Sequence, residues 1–201
     1  MKGTMESVRS APVGPGIVES LGESLFSAAD LIDRVPRASL TRTTPCGEWD
    51  VLGVINHLAA VTEKFGRFAA GATGPIRQLR GDLVGEQPAR GFRRIVEAAI
   101  GSWRAHPEAL DTVCILPFGQ FDGATAAGIN LFDAVVHQWD IAIGADLDHE
   151  VNDELAAVAL PVAQLLVTDE ARRAGHYAMP AASGPDSRPG DRLLAWAGRR
   201  R

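Results

Sequence analysis

Lysine is almost missing from this chain: of its 20 basic residues only Lys2 and Lys64 are lysine, and the rest are arginine. The skew fits a GC-rich coding bias better than a binding surface. A formal net charge of −5 and a pI near 5.5 leave no basic face, which argues against a nucleic-acid partner. No apolar run approaches the roughly 20 residues that cross a bilayer. Lys2 is followed by no apolar stretch, so no signal peptide is read, and cytoplasmic residence is the expectation. Cysteine is scarce too. Cys46 and Cys114 lie far apart and in no CxxC pair, and a core with 46% hydrophobic residues needs no bridge. Both are expected to be reduced, and Cys46 stays open as a reactive thiol. There is no internal repeat and no recognisable Ser/His/Asp or Cys/His arrangement.

What remains is helix, punctuated by glycine and proline. Residues 1–15 lack periodicity and read as a flexible tail. A first amphipathic helix is expected over 17–34, with Leu21, Leu25, Ala28, Ala29 and Ile32 at helical spacing and Pro36 ending it. Asp50 is a good N-cap for a second helix over 51–70, stopped by Gly71. A loop follows to about residue 91, then a third helix over 92–106 closed by Pro107. Residues 112–117 have strand character and read as an extended linker or an edge strand. A fourth helix is expected over 124–143, a fifth over 152–169 with Pro161 inside it as a kink, and a short closing helix over 192–197.

The fourth helix carries the chemistry. Apart from Gln138, its polar residues from 130 onward are Asn130, Asp133, His137 and Asp140, which share a face about 80° wide. Almost every other residue there is apolar, the pattern of a buried helix. Two readings stay open: a solvent-facing stripe, or a buried polar stripe that needs a partner. Asp133 and His137, four apart, meet over one turn. They can ligate one ion or hydrogen-bond each other. His57, with Gly53 and Ala60 beside it on the second helix, is a third candidate. Taken singly, each of these is more often a core residue than a ligand. Two histidines and a carboxylate from two helices nevertheless make a metal set with open positions.

Two separated strings add a resemblance. Thr44-Pro45-Cys46-Gly47-Glu48-Trp49-Asp50-Val51, followed by Asn56-His57-Leu58, resembles the first signature of the DinB-like metal-binding bundles. The likeness is strongest to the branch holding the N-terminal domain of mycothiol-dependent maleylpyruvate isomerase. Leu116-Pro117-Phe118-Gly119, then Asp133 and His137-Gln138-Trp139-Asp140-Ile141-Ala142, resembles the second signature. Residues 191–199 are similar to that branch's closing segment, so the likeness spans 17–199. It implies an all-α, DinB-like four-helix bundle with additional short helices and one short extended segment, forming a single metal-binding domain over 16–201. His57 matches the first ligand histidine, Asp133 the acidic ligand and His137 the second histidine. Asp140 belongs to the signature and reads either as a residue orienting a ligand imidazole from behind or as a plain helix-face aspartate. Two departures stand out: the acidic ligand associated with the characterised isomerase is Glu, and Gly53 occupies a position where a polar or acidic residue is more typical. No counterpart of the isomerase's further domain follows the bundle in these residues, so metal binding transfers better than the isomerase reaction.

The resulting expectation is a protein binding one divalent metal ion, zinc first and nickel or iron after it. It would act as a thiol-dependent transferase or isomerase of the mycothiol type, with a small-molecule thiol and an electrophilic substrate as partners. The alternatives are a non-catalytic metal-containing binding or stress-related bundle, and a bundle whose Asp–His pair is only a core hydrogen bond. No membrane partner is expected; a homodimer is compatible with the sequence. His106 reads as structural, His149 and His176 as solvated loop residues, and Arg67, Arg77 and Arg80 as exposed arginines able to meet a carboxylate.

Overall fold

Four long helices form the body of the computed structural model, which describes residues 7–47, 49–175, 177–184 and 186–200: α1 (Ile17–Asp33), α2 (Val51–Ala69), α3 (Pro88–Ala105) and α4 (Gly123–Ala145). The all-α bundle with added short elements is what the chain forms. On α1 the periodic residues Leu21, Leu25, Ala28, Ala29 and Ile32 are all buried. The pattern on α4 is different, because it is buried nearly all round. It packs against α1 on one side and α2 on another, with α5 (Asp153–Leu166) across it and α7 (Pro189–Trp196) resting on α5. No described helix is long and apolar enough to cross a membrane.

The helix α2 runs antiparallel to α4. Val51, its first residue, lies against Gly144 near the far end of α4, where a Cβ would stand 2.7 Å from Val51 Cγ2. Glycine there lets the two backbones close up, and this contact sets the register of the site below.

Capping fixes the helix starts. Asp50 accepts from Gly53 N at 2.8 Å, Asp122 from Thr125 N at 2.6 Å, and Asn152 from Glu154 N and Leu155 N. Two helices begin earlier than periodicity suggests, α3 at Pro88 and α7 at Pro189. Proline lacks an N–H and has φ already helical, so it opens a helix rather than bounding it. The fifth helix ends at Leu166, and a five-residue helix, α6 (Asp169–Arg173), follows under a Thr168 cap.

The extended segment is one arm of a hairpin. β1 (Val113–Leu116) pairs antiparallel with β2 (Gly119–Asp122), Cys114 opposite Phe121. Residues 9–13, within the stretch read as a tail, are tied to this hairpin and to α4. Arg9 N donates to Gln120 O at 2.8 Å, and Ala11 N donates to Thr125 Oγ1 at 2.8 Å. Residues 1–6, Glu48, His176, Pro185 and Arg201 lie outside the described residues.

Candidate metal centre between α2 and α4

The polar face of α4 is not a solvent face. Asn130 and Asp140 are fully buried, His137 is 7% exposed, and the Asp133 side chain is 19% exposed. The solvent-facing reading of this stripe is thereby overturned: α2 brings His57 onto it, and Arg199, beyond α7, covers Asp140 at its far end.

The antiparallel register brings His57 of α2 onto this stripe. His57 Nε2 lies 3.0 Å from Asp133 Oδ1, and His137 Nε2 lies 3.5 Å from the same oxygen. The rings stand edge to face, with centroids 4.9 Å apart. One ligand atom from each of His57, Asp133 and His137 falls within 4.8 Å of the others. Asp133 Oδ2 is buried and has no hydrogen-bond partner. Burial alone would raise the Asp133 carboxyl. The two imidazoles, the His57 hydrogen bond and the Lys64 charge outweigh it and hold the group below its ordinary value.

Each imidazole is held by its other nitrogen. His137 Nδ1 lies 2.9 Å from Asp140 Oδ2, and Asp140 is itself gripped by Arg199, through Nη2 at 2.8 Å and Nε at 3.2 Å. Burial would raise the Asp140 carboxyl too, but hydrogen bonds from His137 and Arg199 and the Arg199 charge lower it. An ionised Asp140 only accepts, so His137 Nδ1 carries the donated hydrogen and Nε2 is left to face Asp133. His57 Nδ1 meets the Gln78 amide at 3.3 Å. An amide offers either a donor or an acceptor there, so Gln78 accommodates both His57 tautomers.

Trp49 stacks on His57, centroids 4.4 Å apart and planes 25° from parallel. This explains Gly53. A Cβ on residue 53 would stand 2.9 Å from Trp49 Cβ and 3.2 Å from Asp50 Oδ1, so any larger residue would push the indole off the first turn of α2. The departure from a polar residue at this position makes room for the indole.

Cys46, in the loop before α2, is near the centre. Its thiol, an Asp140 oxygen and a His137 nitrogen lie within 4.8 Å of one another. Asp140 already accepts from both Arg199 and His137, so this second set has fewer lone pairs to offer than the first. Tyr177 is also close: burial, then the Asp133 charge, push its hydroxyl up to about 12, so it stays protonated.

Of the residues singled out from sequence, the fold brings together His57, Asp133, His137 and Asp140. The three arginines do not join them. Arg67 pairs with Glu63 at 2.7 Å and donates to Arg77 O, and Arg77 and Arg80 are exposed. His106 caps α3 and meets Glu108 at 3.2 Å. His149 is half-buried rather than solvated, and burial lowers its pKa. Sequence reading missed Gln78 as a partner of His57 and Arg199 as a partner of Asp140. Arg199 lay within the closing segment that carried the resemblance, whereas Gln78 sits in a loop with no periodic signal.

The family model of the mycothiol maleylpyruvate isomerase N-terminal domain matches residues 23–142, which includes all four of those site residues. Two uncharacterized proteins of Mycobacterium tuberculosis, from strains CDC 1551 / Oshkosh and ATCC 25618 / H37Rv, are each 29% identical over 186 residues. The match covers 92% of this chain and 97% of each relative. No solved structure matches.

Proposed function

The chain belongs to the family of mycothiol maleylpyruvate isomerase N-terminal domains, and from that premise we propose that His57, Asp133 and His137 hold one divalent metal ion serving a thiol-dependent transferase or isomerase reaction. The observation that carries the reading is the convergence of two imidazole Nε2 atoms on one oxygen of a carboxylate whose other oxygen is buried and unpartnered. A core hydrogen-bond network favours pairing that oxygen as well, because an unsatisfied buried acceptor costs about 1–3 kcal/mol.

The donor set suits the ion. Ligand atoms on a tetrahedral ion at ~2.1 Å stand about 3.4 Å apart. The distances of 3.0 and 3.5 Å from Asp133 to the two histidines bracket that value. Two nitrogens and one oxygen suit zinc first, with nickel or iron able to take the same set. The Asp140 carboxylate behind His137 supports the reading, since ligating histidines commonly donate their second N–H to a carboxylate.

Three protein ligands leave a coordination position open, and a bound divalent ion supplies there the means to hold a small thiol as thiolate. The chain's own part is to orient and shield. Arg199 and Asp140 fix the His137 ring, Trp49 and Gln78 fix His57, and the indole covers one side of the site. No protein nucleophile is required, because the cosubstrate brings the sulfur. This reading places the protein in the cytoplasm, where small thiols are kept reduced.

The test is metal content of untagged protein, followed by conjugation of mycothiol to a model electrophile by metal-loaded and chelator-stripped samples. One ion per chain and turnover only when loaded are expected. Full metal with no turnover would leave a non-catalytic binding bundle, and no metal would end the reading.

A further inference from the structure

The loop between α2 and α3 passes the solvent-accessible side of the centre. His57 and Asp133 keep that access, their side chains 18% and 19% exposed, whereas that of His137 is 9% exposed. The loop is fastened at two points. Upstream, buried Ile76 donates its N–H to Ile115 O on the hairpin at 3.2 Å. Downstream, Leu83 N donates to Asn56 Oδ1 at 2.7 Å. Buried Val84 follows, packed so closely on α3 that a Cβ on Gly91 would stand 2.0 Å from its carbonyl oxygen.

Between these fastenings residues 77–82 are all exposed, and among the described residues none of their backbone N–H groups finds a hydrogen-bond acceptor. Asp82 turns its Oδ1 onto Val84 N and Gly85 N. Otherwise two bonds hold the span, both to α2. Arg67 Nη2 donates to Arg77 O at 2.7 Å, and the Gln78 amide meets His57 Nδ1 at 3.3 Å. Gly81 lies in the left-handed region at φ 97°, with open space where a Cβ would stand, so glycine is there for the backbone alone. Leu79, next to Gln78, is apolar and 45% exposed. A span with no bonded amides, tied down at both ends, opens at low cost.

The Gln78 bond depends on which His57 nitrogen carries the ring hydrogen. Asp133 Oδ1 lies 3.0 Å from His57 Nε2, and an ionised carboxylate only accepts. Without an ion, a neutral His57 therefore carries its hydrogen on Nε2 and accepts at Nδ1. Gln78 Nε2 then donates to Nδ1 in a long bond between neutral groups. When Nε2 gives its lone pair to an ion, the one ring hydrogen sits on Nδ1 instead, the transfer running through water. Gln78 must then turn its amide and accept through Oε1. A ring N–H polarised by a cation makes the stronger of the two bonds.

We propose that residues 77–82 form a strap at the accessible side of the centre, hinged at Gly81 and latched by Gln78, and that an ion on His57 draws the strap shut. Open, the strap clears the approach to His57 and Asp133. Latched, it keeps Leu79 beside that approach and narrows it. The coupling to the ion rests on the proposed function; the hinge and the latch do not.

The experiment is limited trypsin digestion of the full chain, chelator-stripped and zinc-loaded, read by mass spectrometry. Arg77 and Arg80 supply cut sites inside the strap, and cuts elsewhere on the same samples are the internal reference. Nitrogen-15 NMR of the His57 ring reports which nitrogen carries the hydrogen. Gln78→Leu is expected to speed strap cutting about threefold or more without zinc, the worth of one neutral hydrogen bond. Zinc is expected to slow strap cutting by a similar factor in the parent, with the ring hydrogen on Nδ1, and to leave Gln78→Leu unprotected. Gln78→Glu accepts but cannot donate, so it is expected to hold the hydrogen on Nδ1 and protect the strap even without zinc. Strap cutting unchanged in Gln78→Leu overturns the latch. Cutting that rises equally at the reference sites also overturns it, as a general loosening of the fold. Zinc that binds without slowing the strap overturns the coupling. No zinc uptake overturns the coupling together with the metal reading, while the metal-free comparison of parent and Gln78→Leu still decides the latch.

Discussion

Arg199 closes a two-pronged ion pair on Asp140, its Nη2 2.8 Å from one carboxylate oxygen and its Nε 3.2 Å from the other. The Asp140 side chain is fully buried and that of Arg199 is 11% exposed. The oxygen nearer Arg199 Nη2 also meets His137 Nδ1 at 2.9 Å. One line of alternating charge and imidazole therefore runs from Arg199 through Asp140, His137 and Asp133 to His57. A segment beyond α7 thus steers a ring on α4.

Replacing Arg199 tests that line. Arg199→Met leaves a buried carboxylate without its cation, and breaking a buried pair this way costs about 3–5 kcal/mol. Arg199→Lys restores the charge but not the two-pronged fork, and is expected to recover only part of it. Urea unfolding of metal-free protein measures both. A loss within about 0.5 kcal/mol, the range of an ordinary surface change, would show that the pair is dispensable.

The polar stripe was readable because helical spacing is local. Asn130, Asp133, His137 and Asp140 fall on one face of α4 whatever the rest of the chain does. The Asp50 cap was readable for the same reason. Gln78 was not, since it reaches His57 across 21 residues through a loop whose backbone no periodicity governs. The second arm of the hairpin, Gly119–Asp122, escaped notice because four residues including a glycine carry little strand signal. The reason for Gly53 became visible only with Trp49 folded onto α2. Lys64 gave no sign of its burial, because nothing in a lysine's neighbours along the chain announces that its ammonium has been left in the core.

The two cysteines should behave differently. Neither forms a disulfide. Cys46 is partly exposed beside the centre, whereas Cys114 is wholly buried on β1. Alkylation of denatured protein without reductant is expected to label both thiols. Alkylation of native protein near pH 8 is expected to label Cys46 first, since the reactive thiolate is suppressed at a buried site. Equal native labelling rates would contradict the burial of Cys114.

Alkaline pH should expose the same buried thiol. Burial pushes Cys114 up from 9.0 to about 11, with the Lys64 charge opposing. Its folded pKa is raised, so its contribution to stability is complete below the unfolded value and is lost as pH rises through the folded one. Between those limits the unfolded chain has released a proton that the folded chain retains, and stability falls by about 1.4 kcal/mol per pH unit. Urea midpoints of the parent and Cys114→Val across pH 8 to pH 11 isolate the effect, because other groups titrate alike in both. Parallel curves would mean that the thiol ionises as freely in the fold as out of it.

The ligands taken together give the most direct test of the centre. If His57, Asp133 and His137 hold an ion, removing one should cost metal far more than it costs fold. The bundle's core is large, and unlike a zinc finger it has no need of a metal staple. His137→Ala is expected to abolish stoichiometric metal while helical circular dichroism stays near that of the parent. Asp133→Asn should weaken binding less completely: its amide oxygen still offers a lone pair, but the charge that favours a divalent cation is gone. Asp140→Ala should reduce affinity by about 10–100-fold, as loss of a partner behind a ligand does. Its effect on stability should be larger than that of the other two, because it leaves the Arg199 guanidinium unpaired and nearly buried. Metal content and circular dichroism on the same samples separate the outcomes. Full metal in His137→Ala would place the ion elsewhere. Loss of helix in that variant would mean that the stripe on α4 holds the bundle together by itself.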